Sequence, residues 1–251
     1  AQLGSALVQC SAGRVGSTAS GRTEVAMQLS AERFPLDDNF ARLFLGPMRQ
    51  AVLDRQLRGL LNVHNLALGF LLPTPGTEEQ IDVTLQGNFE AIDVEALLGT
   101  RLQSIQGFIE LDPSRVNKDG GVLRGRFTRG ALRLLGHACD EAQAEFEADP
   151  TQFTLRSLDI RVHGGKVAGR DPNAKALSYR FARSENEPGV LSTDLQVRGV
   201  ALNEFLRDCG LVDAPYSGTL EGTIRLNELR GARSEDHTSE LQSQFRISYA
   251  V

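Results

Sequence analysis

The sequence predicts a mainly β protein: a long antiparallel meander with only short helical segments, the main one near residues 38–57. Runs of about five to nine residues alternate apolar and polar side chains, as half-buried strands do. Turns rich in Gly, Asn and Asp separate these runs, which favours hairpins between neighbouring strands. The block Leu195–Gly231 contains an alternating run, a short amphipathic turn, a link and a second alternating run. Weaker copies of this unit elsewhere indicate one growing sheet.

The composition is that of a soluble globular chain. The 251 residues carry a formal net charge of -5 and are 41% hydrophobic, and a chain of this length can bury a substantial core. The charge balance offers no basic surface of the kind that binds nucleic acid, so we expect no nucleic-acid partner. No apolar run approaches the ~20 residues that a membrane-spanning helix requires.

The N-terminal part is expected to combine strands with the helical region. Strands are predicted at Ala6–Cys10 and Thr23–Leu29. Asp37 or Asp38 can cap a first helix, because a carboxylate accepts hydrogen bonds from the free N–H groups of the first turn. A second helix is predicted at Pro47–Leu57, since proline suits the first helical turn. Its expected buried stripe is Met48, Val52 and Leu53.

Most of the remaining chain is predicted to be strand. Asp112-Pro113 and His163–Gly165 are expected to turn the chain, and His137–Glu141 is expected to be a polar break. The apolar positions change phase by one residue near Arg156–Ser157, which predicts a bulge or a tight turn there. The predicted strands are Leu60–Leu71, Ile81–Leu85, Ile109–Leu111, Leu123–Phe127, Leu132–Leu134, Phe153–Val162, Leu177–Phe181 and Leu191–Val197.

Two weaker copies of the Leu195–Gly231 unit are expected. Phe89–Leu111 combines an apolar spacing like that of the turn at Val200–Leu206 with a link and a Gly-x-apolar-x-apolar run. Gly59–Val63 has the same run after a helical stretch. We therefore expect a strand, a helical turn and a strand at Phe89–Leu111 as well.

We find no residue constellation that would catalyse a reaction, and we expect a non-enzymatic protein without a metal or a cofactor. His64, His137 and His163 stand at no metal-ligand spacing from one another or from a cysteine. His163 is expected to be a solvated or turn-bound side chain. Gly164-Gly165-Lys166 lacks the other residues of a phosphate-binding loop.

The arginines and cysteines leave alternatives open. Four arginines form the densest basic cluster, and they either face solvent along a strand or meet lipid phosphates. Cys10, Cys139 and Cys209 show no metal-ligand spacing and are expected to be inert, partly buried thiols. A Cys139–Cys209 disulfide remains an alternative in an oxidising compartment. The four arginines are Arg124, Arg126, Arg129 and Arg133.

Several motifs follow one another in the C-terminal part. Val162–Gly169 reads as a glycine-rich hairpin, and an alternating strand follows it. Val197–Leu206 has the form Val-x-Gly-Val-x-Leu-x-x-Phe-Leu, and Gly218–Gly231 closes with Gly-Thr-Leu-x-Gly-x-Ile-x-Leu-x-x-Leu-x-Gly. In this order the motifs resemble the C-terminal region of AsmA-like proteins, which are envelope proteins of diderm bacteria related in architecture to TamB and to bridge-like lipid-transfer proteins. The resemblance covers about residues 155–231 and reaches back, more loosely, to about residue 80.

The resemblance implies a long, curved antiparallel sheet whose apolar concave face forms a groove, in a periplasmic protein anchored in the inner membrane. It also implies transport of phospholipid or another envelope lipid, or assembly of the outer membrane. Burial of acyl chains in such a groove is worth about 0.8 kcal/mol per CH₂ group. The ten candidate lining residues are Val83, Leu85, Phe153, Leu155, Ile160, Val162, Leu195, Val197, Ile224 and Leu226.

The alternating pattern is equally compatible with burial of these residues by the protein itself. The same ten residues would alternate if they packed against a second sheet or against the Pro47–Leu57 helix, because alternation reports burial and not its cause. The alternative function is a structural or adhesive β-repeat envelope protein without a ligand. A hydrolase is a third hypothesis, and it would require a cleft with clustered titratable groups.

The pattern ends near Gly231. From Arg233 onward the alternation is lost, and the sequence resembles the translation of a common short-read sequencing adapter. We therefore expect residues 233–251 to be a non-native tail, and residues 1–232 to be a fragment of one extended domain.

Overall fold

The computed structural model describes residues 2–3, 6–42, 44, 46–74, 76, 81–98, 100–117, 119–182, 187–211 and 217–230. The expected tail at 233–251 lies outside these residues. The described strands pair into one large antiparallel sheet, and the described helices are short. The prediction of a mainly β fold with short helical segments is therefore confirmed.

The elements follow in chain order. The strands are β1 (Gln2–Leu3), β2 (Ala6–Ser17), β3 (Thr23–Leu36), β4 (Arg58–Leu71), β5 (Asp82–Leu98), β6 (Thr100–Asn117), β7 (Gly120–Gly121), β8 (Leu123–Leu134), β9 (His137–Ala148), β10 (Gln152–Val162), β11 (Gly165–Gly169), β12 (Leu177–Arg180), β13 (Val190–Ala201) and β14 (Thr219–Arg230). The helices are α1 (Asp38–Ala41), α2 (Gly46–Asp54) and α3 (Leu202–Asp208).

The contacts divide the chain into two compact units. The first comprises Ala1–Leu97, Ser104–Phe127 and Ala148–Pro150. The second comprises Leu98–Gln103, Thr128–Glu147 and the described residues within Thr151–Val251.

The first unit is built on an antiparallel meander of β2, β3, β4 and β5. One core cluster contains Ala31, Phe34 and Val63, which are buried together with Ala6. A second contains Leu36, Ala91 and Val94. β2, β3 and β5 run well beyond their predicted ends, whereas β4 begins only two residues before its predicted start. The register shifts between these strands are β-bulges, which join alternating runs of different phase into one strand.

The helical region lies between β3 and β4, as predicted. The Asp37 carboxylate accepts hydrogen bonds from the backbone N–H groups of Asn39 and Phe40, which confirms this residue as the cap of α1. The second helix ends at Asp54, three residues earlier than expected. Its buried residues are Met48 and Ala51, whereas Val52 and Leu53 are half-buried.

The predicted helical turn within Phe89–Leu111 is wrong. Residues 89–98 continue β5, and β6 begins at Thr100. Asp93 has a left-handed backbone conformation, with φ of 52°, and the four residues from Ile92 to Glu95 lie opposite the three residues from Arg58 to Leu60 of β4. This bulge brings both Ala91 and Val94 to the buried side. A bulged strand thereby acquires the apolar spacing of three that the sequence pattern attributed to a helix.

Two other expected interruptions are also strand. Asp112-Pro113 lies inside β6 and does not turn the chain. His137–Glu141, predicted as a polar break, opens β9. The buried residues of β9 are Cys139 and Ala142, which are small and again three apart, with the left-handed residue Glu141 between them. Small side chains and a change of phase together hid this strand from the alternation pattern.

A buried carboxylate ties several strands of the first unit together. Asp82, at the start of β5, accepts from the Arg115 guanidinium of β6 at 2.6 Å and lies 3.5 Å from that of Arg22. Arg22 also donates to the carbonyl oxygens of Leu71 and Leu72, at the end of β4. Hydrogen bonding from Arg115 holds the pKa of the Asp82 carboxyl below its ordinary value, against the opposing effect of burial, and the charge of Arg22 adds to the lowering.

Candidate functional site

The second unit brings eight of the ten predicted lining residues to one face of its strands. Paired residues in neighbouring strands point to the same side of a sheet. Leu195 of β13 pairs with Ile224 of β14, and Thr193 pairs with Leu226. Val197 stands two residues after Leu195 on β13 and therefore faces the same way.

The four candidates of β10 reach this face because the strand contains an extra residue. Leu155 pairs with Leu177 of β12, which pairs with Thr193. Ile160 pairs with Val167 of β11, which pairs with Val197. From Leu155 to Ile160 the chain advances five residues along β10, whereas the matching stretch of β13 advances only four, from Thr193 to Val197. The predicted phase change near Arg156–Ser157 is confirmed, and it keeps Phe153 and Leu155 on the same side as Ile160 and Val162.

The face is apolar and partly covered. Ile160, Val162 and Leu226 are buried, whereas the other five candidates of this unit are half-buried. The pairing adds further residues to the face that were not among the ten: Val167, Leu177, Tyr179 and Leu191. Sequence alternation identified the runs of β12 and β13, but it could not show which of their faces continues the face of β10.

The remaining two candidates lie in the first unit. Val83 pairs with Phe70, which pairs with Val25, and Leu85 pairs with Leu68, which pairs with Met27. These two rows of apolar side chains share one face of β3, β4 and β5. The prediction that Val83 and Leu85 point to one side of a strand therefore holds within this unit.

The two alternatives to a ligand were burial of the ten residues by a second sheet or by the Pro47–Leu57 helix. All described strands pair into one sheet, so the described part of the chain holds no separate second sheet. The predicted helix is α2, which belongs to the first unit. Within that unit a cleft beside α1 and α2 is lined by Leu36, Asp37, Val52, Leu53 and Arg58 among others, and none of the ten candidates lines it.

The four clustered arginines are all exposed. Arg126 lies 3.5 Å from the Glu110 carboxylate, in a pair that is more than half exposed on both sides. Such exposed pairs contribute little to stability. The four arginines face solvent along a strand, as predicted. Their alternative contact with lipid phosphates stays a prediction.

The cysteines differ from the expectation of partly buried thiols. All three are free, and only Cys139 is buried, whereas Cys10 and Cys209 are exposed. Burial raises the pKa of the Cys139 thiol to about 11, and the neighbouring Asp140 carboxylate adds to the rise. Cys139 is therefore an inert thiol, as expected, whereas Cys10 and Cys209 do not have the expected burial. The structure holds Cys139 and Cys209 without a disulfide.

Sequence reasoning missed a cluster of titratable groups in the second unit. His137 opens β9, His163 stands in the turn between β10 and β11, and Asp208 is the last residue of α3. The Nδ1 atom of His137 lies 3.2 Å from Nε2 of His163 and 3.4 Å from Oδ2 of Asp208, and the last two atoms are 3.2 Å apart. The expectation of a solvated or turn-bound His163 side chain is wrong, since the side chain is 11% exposed and contacts the carboxylates of Glu204 and Asp208 in α3.

Local structure explains how the cluster forms. His163 and Gly164 are the two loop residues of the β10–β11 hairpin and both have positive φ, the arrangement in which Asn-Gly is the usual pair. A Cβ atom at Gly165 would overlap the backbone of Val200, so this glycine lets the turn lie against the end of β13. There the Ala201 N–H donates to the His163 carbonyl oxygen at 3.1 Å, one residue before α3.

One signal in the sequence could have found the pair of histidines. His137 and His163 each stand 13 residues from Pro150, and β9 and β10 are neighbouring strands connected through that region. A simple hairpin centred on Pro150 would place the two histidines opposite one another. The contribution of Asp208 could not be predicted this way, because Asp208 lies 45 residues after His163 in the chain.

None of the described helices is long and apolar enough to span a membrane.

Comparison with known proteins adds no relative. No protein-family model matches the chain, and neither a curated protein nor a solved structure matches it.

Proposed function

We propose that the protein binds the acyl chains of phospholipids, or of another envelope lipid, along the apolar face of β10–β14 and acts as a non-enzymatic lipid conduit or scaffold. The observation that carries the proposal is the gathering of eight predicted lining residues on one face. The gathering depends on the extra residue of β10, which keeps Phe153 and Leu155 on the same side as Ile160 and Val162.

Energetics favour an acyl chain as the ligand. Half-buried Leu, Val and Ile side chains gain from any apolar cover, and burial is worth about 25 cal/mol per Å² of apolar surface. An acyl chain provides such cover without bringing unpaired polar groups, which would cost free energy on this face. The opposite face of the same strands carries polar side chains, since Gln196 of β13 pairs with Thr223 of β14 there, and both residues are half-buried.

The location follows from the resemblance of residues 155–231 to AsmA-like proteins. We propose the periplasm of a diderm bacterium, with the inner membrane as a partner. The Arg124–Arg133 segment is a candidate for contact with lipid phosphates, because a guanidinium binds phosphate oxygens through paired hydrogen bonds. This part of the proposal depends on the resemblance, whereas acyl-chain binding depends on the apolar face.

Uptake of phospholipid by delipidated protein tests the proposal. The full chain is incubated with vesicles of phosphatidylethanolamine and phosphatidylglycerol, and lipid bound per chain is measured by mass spectrometry after separation. We expect the wild type to take up phospholipid. Replacing the opposed pair in the double variant Leu195→Gln and Ile224→Gln should reduce uptake about tenfold or more, because each substitution removes more than 1 kcal/mol of apolar contact.

The opposite face of the same two strands provides the matched control. The double variant Gln196→Ala and Thr223→Ala changes two equally placed positions and should leave uptake unchanged. Circular dichroism establishes that each variant keeps its strands. A wild-type protein that takes up no phospholipid would contradict the proposal and favour a structural β-repeat protein without a ligand.

A further inference from the structure

The histidine cluster has the dimensions of a metal site. The three atoms His137 Nδ1, His163 Nε2 and Asp208 Oδ2 form a nearly equilateral triangle with sides of 3.2, 3.2 and 3.4 Å. Ligands at the usual 2.0–2.1 Å from a tetrahedral Zn²⁺ are separated by about 3.3–3.4 Å. We propose that these three residues bind a divalent d-block cation of the zinc class.

The same distances argue against a magnesium site. Neighbouring ligands of an octahedral Mg²⁺ at 2.0–2.1 Å are only about 2.8–3.0 Å apart, which is shorter than every side of the triangle. Two imidazoles and one carboxylate are also the donor set that zinc, nickel and copper prefer, whereas magnesium prefers oxygen. Three protein ligands leave one tetrahedral position for water or another small ligand.

The surroundings of the triangle support a metal more than a network of protons alone. Each imidazole nitrogen carries at most one hydrogen and a carboxylate oxygen carries none, so at least one of the three contacts has no hydrogen between its two atoms. A cation at the centre would contact all three atoms at once. The Asp208 carboxylate also ends a helix, where the helix dipole disfavours negative charge, and a bound cation would offset that effect.

The outer nitrogen atoms of the two imidazoles are also partnered. His163 Nδ1 lies 3.5 Å from the Glu204 carboxylate, and His137 Nε2 lies 3.9 Å from the Cys209 sulfur. Histidines that bind metals commonly donate their second N–H to a carboxylate, which fixes the tautomer and the ring orientation. Phe205 stacks on the His137 ring at 4.7 Å with an angle of 5° between the planes, and this contact further restricts the ring.

A bound cation would fasten three separate elements to one another. His137 belongs to β9, His163 to the β10–β11 turn and Asp208 to α3. Because the described part of α3 has no buried residue, its own packing holds it weakly. Metal binding to the folded state only would stabilise the fold and raise the melting temperature with metal concentration.

Titration of the full chain with Zn²⁺ after removal of metal by EDTA tests this site. By isothermal calorimetry we expect one Zn²⁺ per chain with micromolar or tighter affinity, and no binding of Mg²⁺. The variant His163→Asn keeps a residue that suits the positive-φ position of the turn, so it should fold as well as the wild type. It should bind Zn²⁺ more than about 100-fold more weakly, since even partners outside the ligand set contribute 10–100-fold.

Two further variants make the result specific. Asp208→Asn removes a partly exposed carboxylate and should weaken Zn²⁺ binding similarly. His64→Asn changes a histidine of β4 that is outside the cluster, so zinc affinity and the zinc-induced rise in melting temperature should be unchanged. Absence of Zn²⁺ binding in the wild type would show a hydrogen-bonded network only and overturn the proposal. Binding that persists in His163→Asn would place the ion elsewhere and would overturn it equally.

Discussion

The segments Leu195–Arg230 and Phe89–Leu111 have similar apolar spacing but fold differently. The first forms β13, α3 and β14, whereas the second forms the end of β5 and the start of β6. Each contains a residue with left-handed backbone conformation, Gly199 with φ of 64° and Asp93 with φ of 52°. The left-handed residue therefore does not decide between helix and strand.

The difference lies in the neighbouring strand. Beyond Asp93, residue Glu95 still pairs with Arg58 of β4, and the Leu97 N–H donates to the Arg55 carbonyl. Beyond Gly199, pairing ends at Ala201, which stands opposite Thr219, the first residue of β14. A backbone without a partner strand satisfies its hydrogen bonds within itself, and the chain continues as α3. The local sequence permits both structures, and the available partner selects one.

The largest expected effect contrasts Val94, a buried residue of β5, with Leu206, a half-buried residue of α3. Val94 is 7% exposed and packs with Leu36 and Ala91, so Val94→Asp buries an unpaired charge and should reduce the free energy of unfolding by more than about 3 kcal/mol. Leu206→Asp changes a half-buried residue of α3 and should cost about 1 kcal/mol or less. Urea denaturation measures both losses, and equal losses would contradict the contrast between the two segments.

A smaller effect is expected at Asp82, which anchors the start of β5. Asp82→Asn should lower the free energy of unfolding by about 1.5–3 kcal/mol near neutral pH, because the neutral amide accepts a weaker hydrogen bond from charged Arg115 and no longer forms an ion pair with Arg22. Glu110→Gln removes an exposed pair with Arg126 and should cost less than about 1 kcal/mol. Denaturation at a series of pH values measures each difference from the wild type.

The pH dependence of this difference has a definite sign. The pKa of Asp82 is lower in the folded protein than its ordinary value of 3.8. The stabilisation is therefore complete above that value and is lost as pH falls through the lower folded pKa. We expect a constant difference between wild type and Asp82→Asn from about pH 5 to 8 and a shrinking difference below about pH 4. A difference that grows on acidification would contradict this assignment.

The smallest effects test the two left-handed residues directly. Gly199→Val and Asp93→Val should each cost about 1–2 kcal/mol, the cost of a left-handed conformation for a residue with a branched Cβ. At Gly199 a Cβ meets no atom within 4 Å, so that loss reports backbone conformation alone. Gly16→Val provides the control, since Gly16 has equal space without positive φ. Thermal unfolding measures each loss. If only one of the two variants lost stability, Gly199 and Asp93 would not share a left-handed backbone conformation.

The sequence predicted the class of fold and much of the apolar face because both depend on local alternation. The cap at Asp37, the hairpin turn at His163-Gly164 and the phase change in β10 were likewise local features. The bulges at Asp93 and Glu141 were not predictable, since Asp and Glu do not mark a left-handed position as glycine does. The histidine cluster was missed because it joins residues from three elements, and spacing along the chain does not report such contacts.

Photo-crosslinking at neighbouring positions of β13 tests lipid binding by the apolar face most directly. A photoreactive phenylalanine derivative replaces Leu195 in one variant of the chain and Gln196 in another, and each is irradiated with phospholipid vesicles before mass spectrometry. The two positions differ by one residue and point to opposite faces of the sheet. We predict a phospholipid adduct at position 195 and none at position 196. Equal labelling of both positions, or no adduct at position 195, would contradict lipid binding by this face.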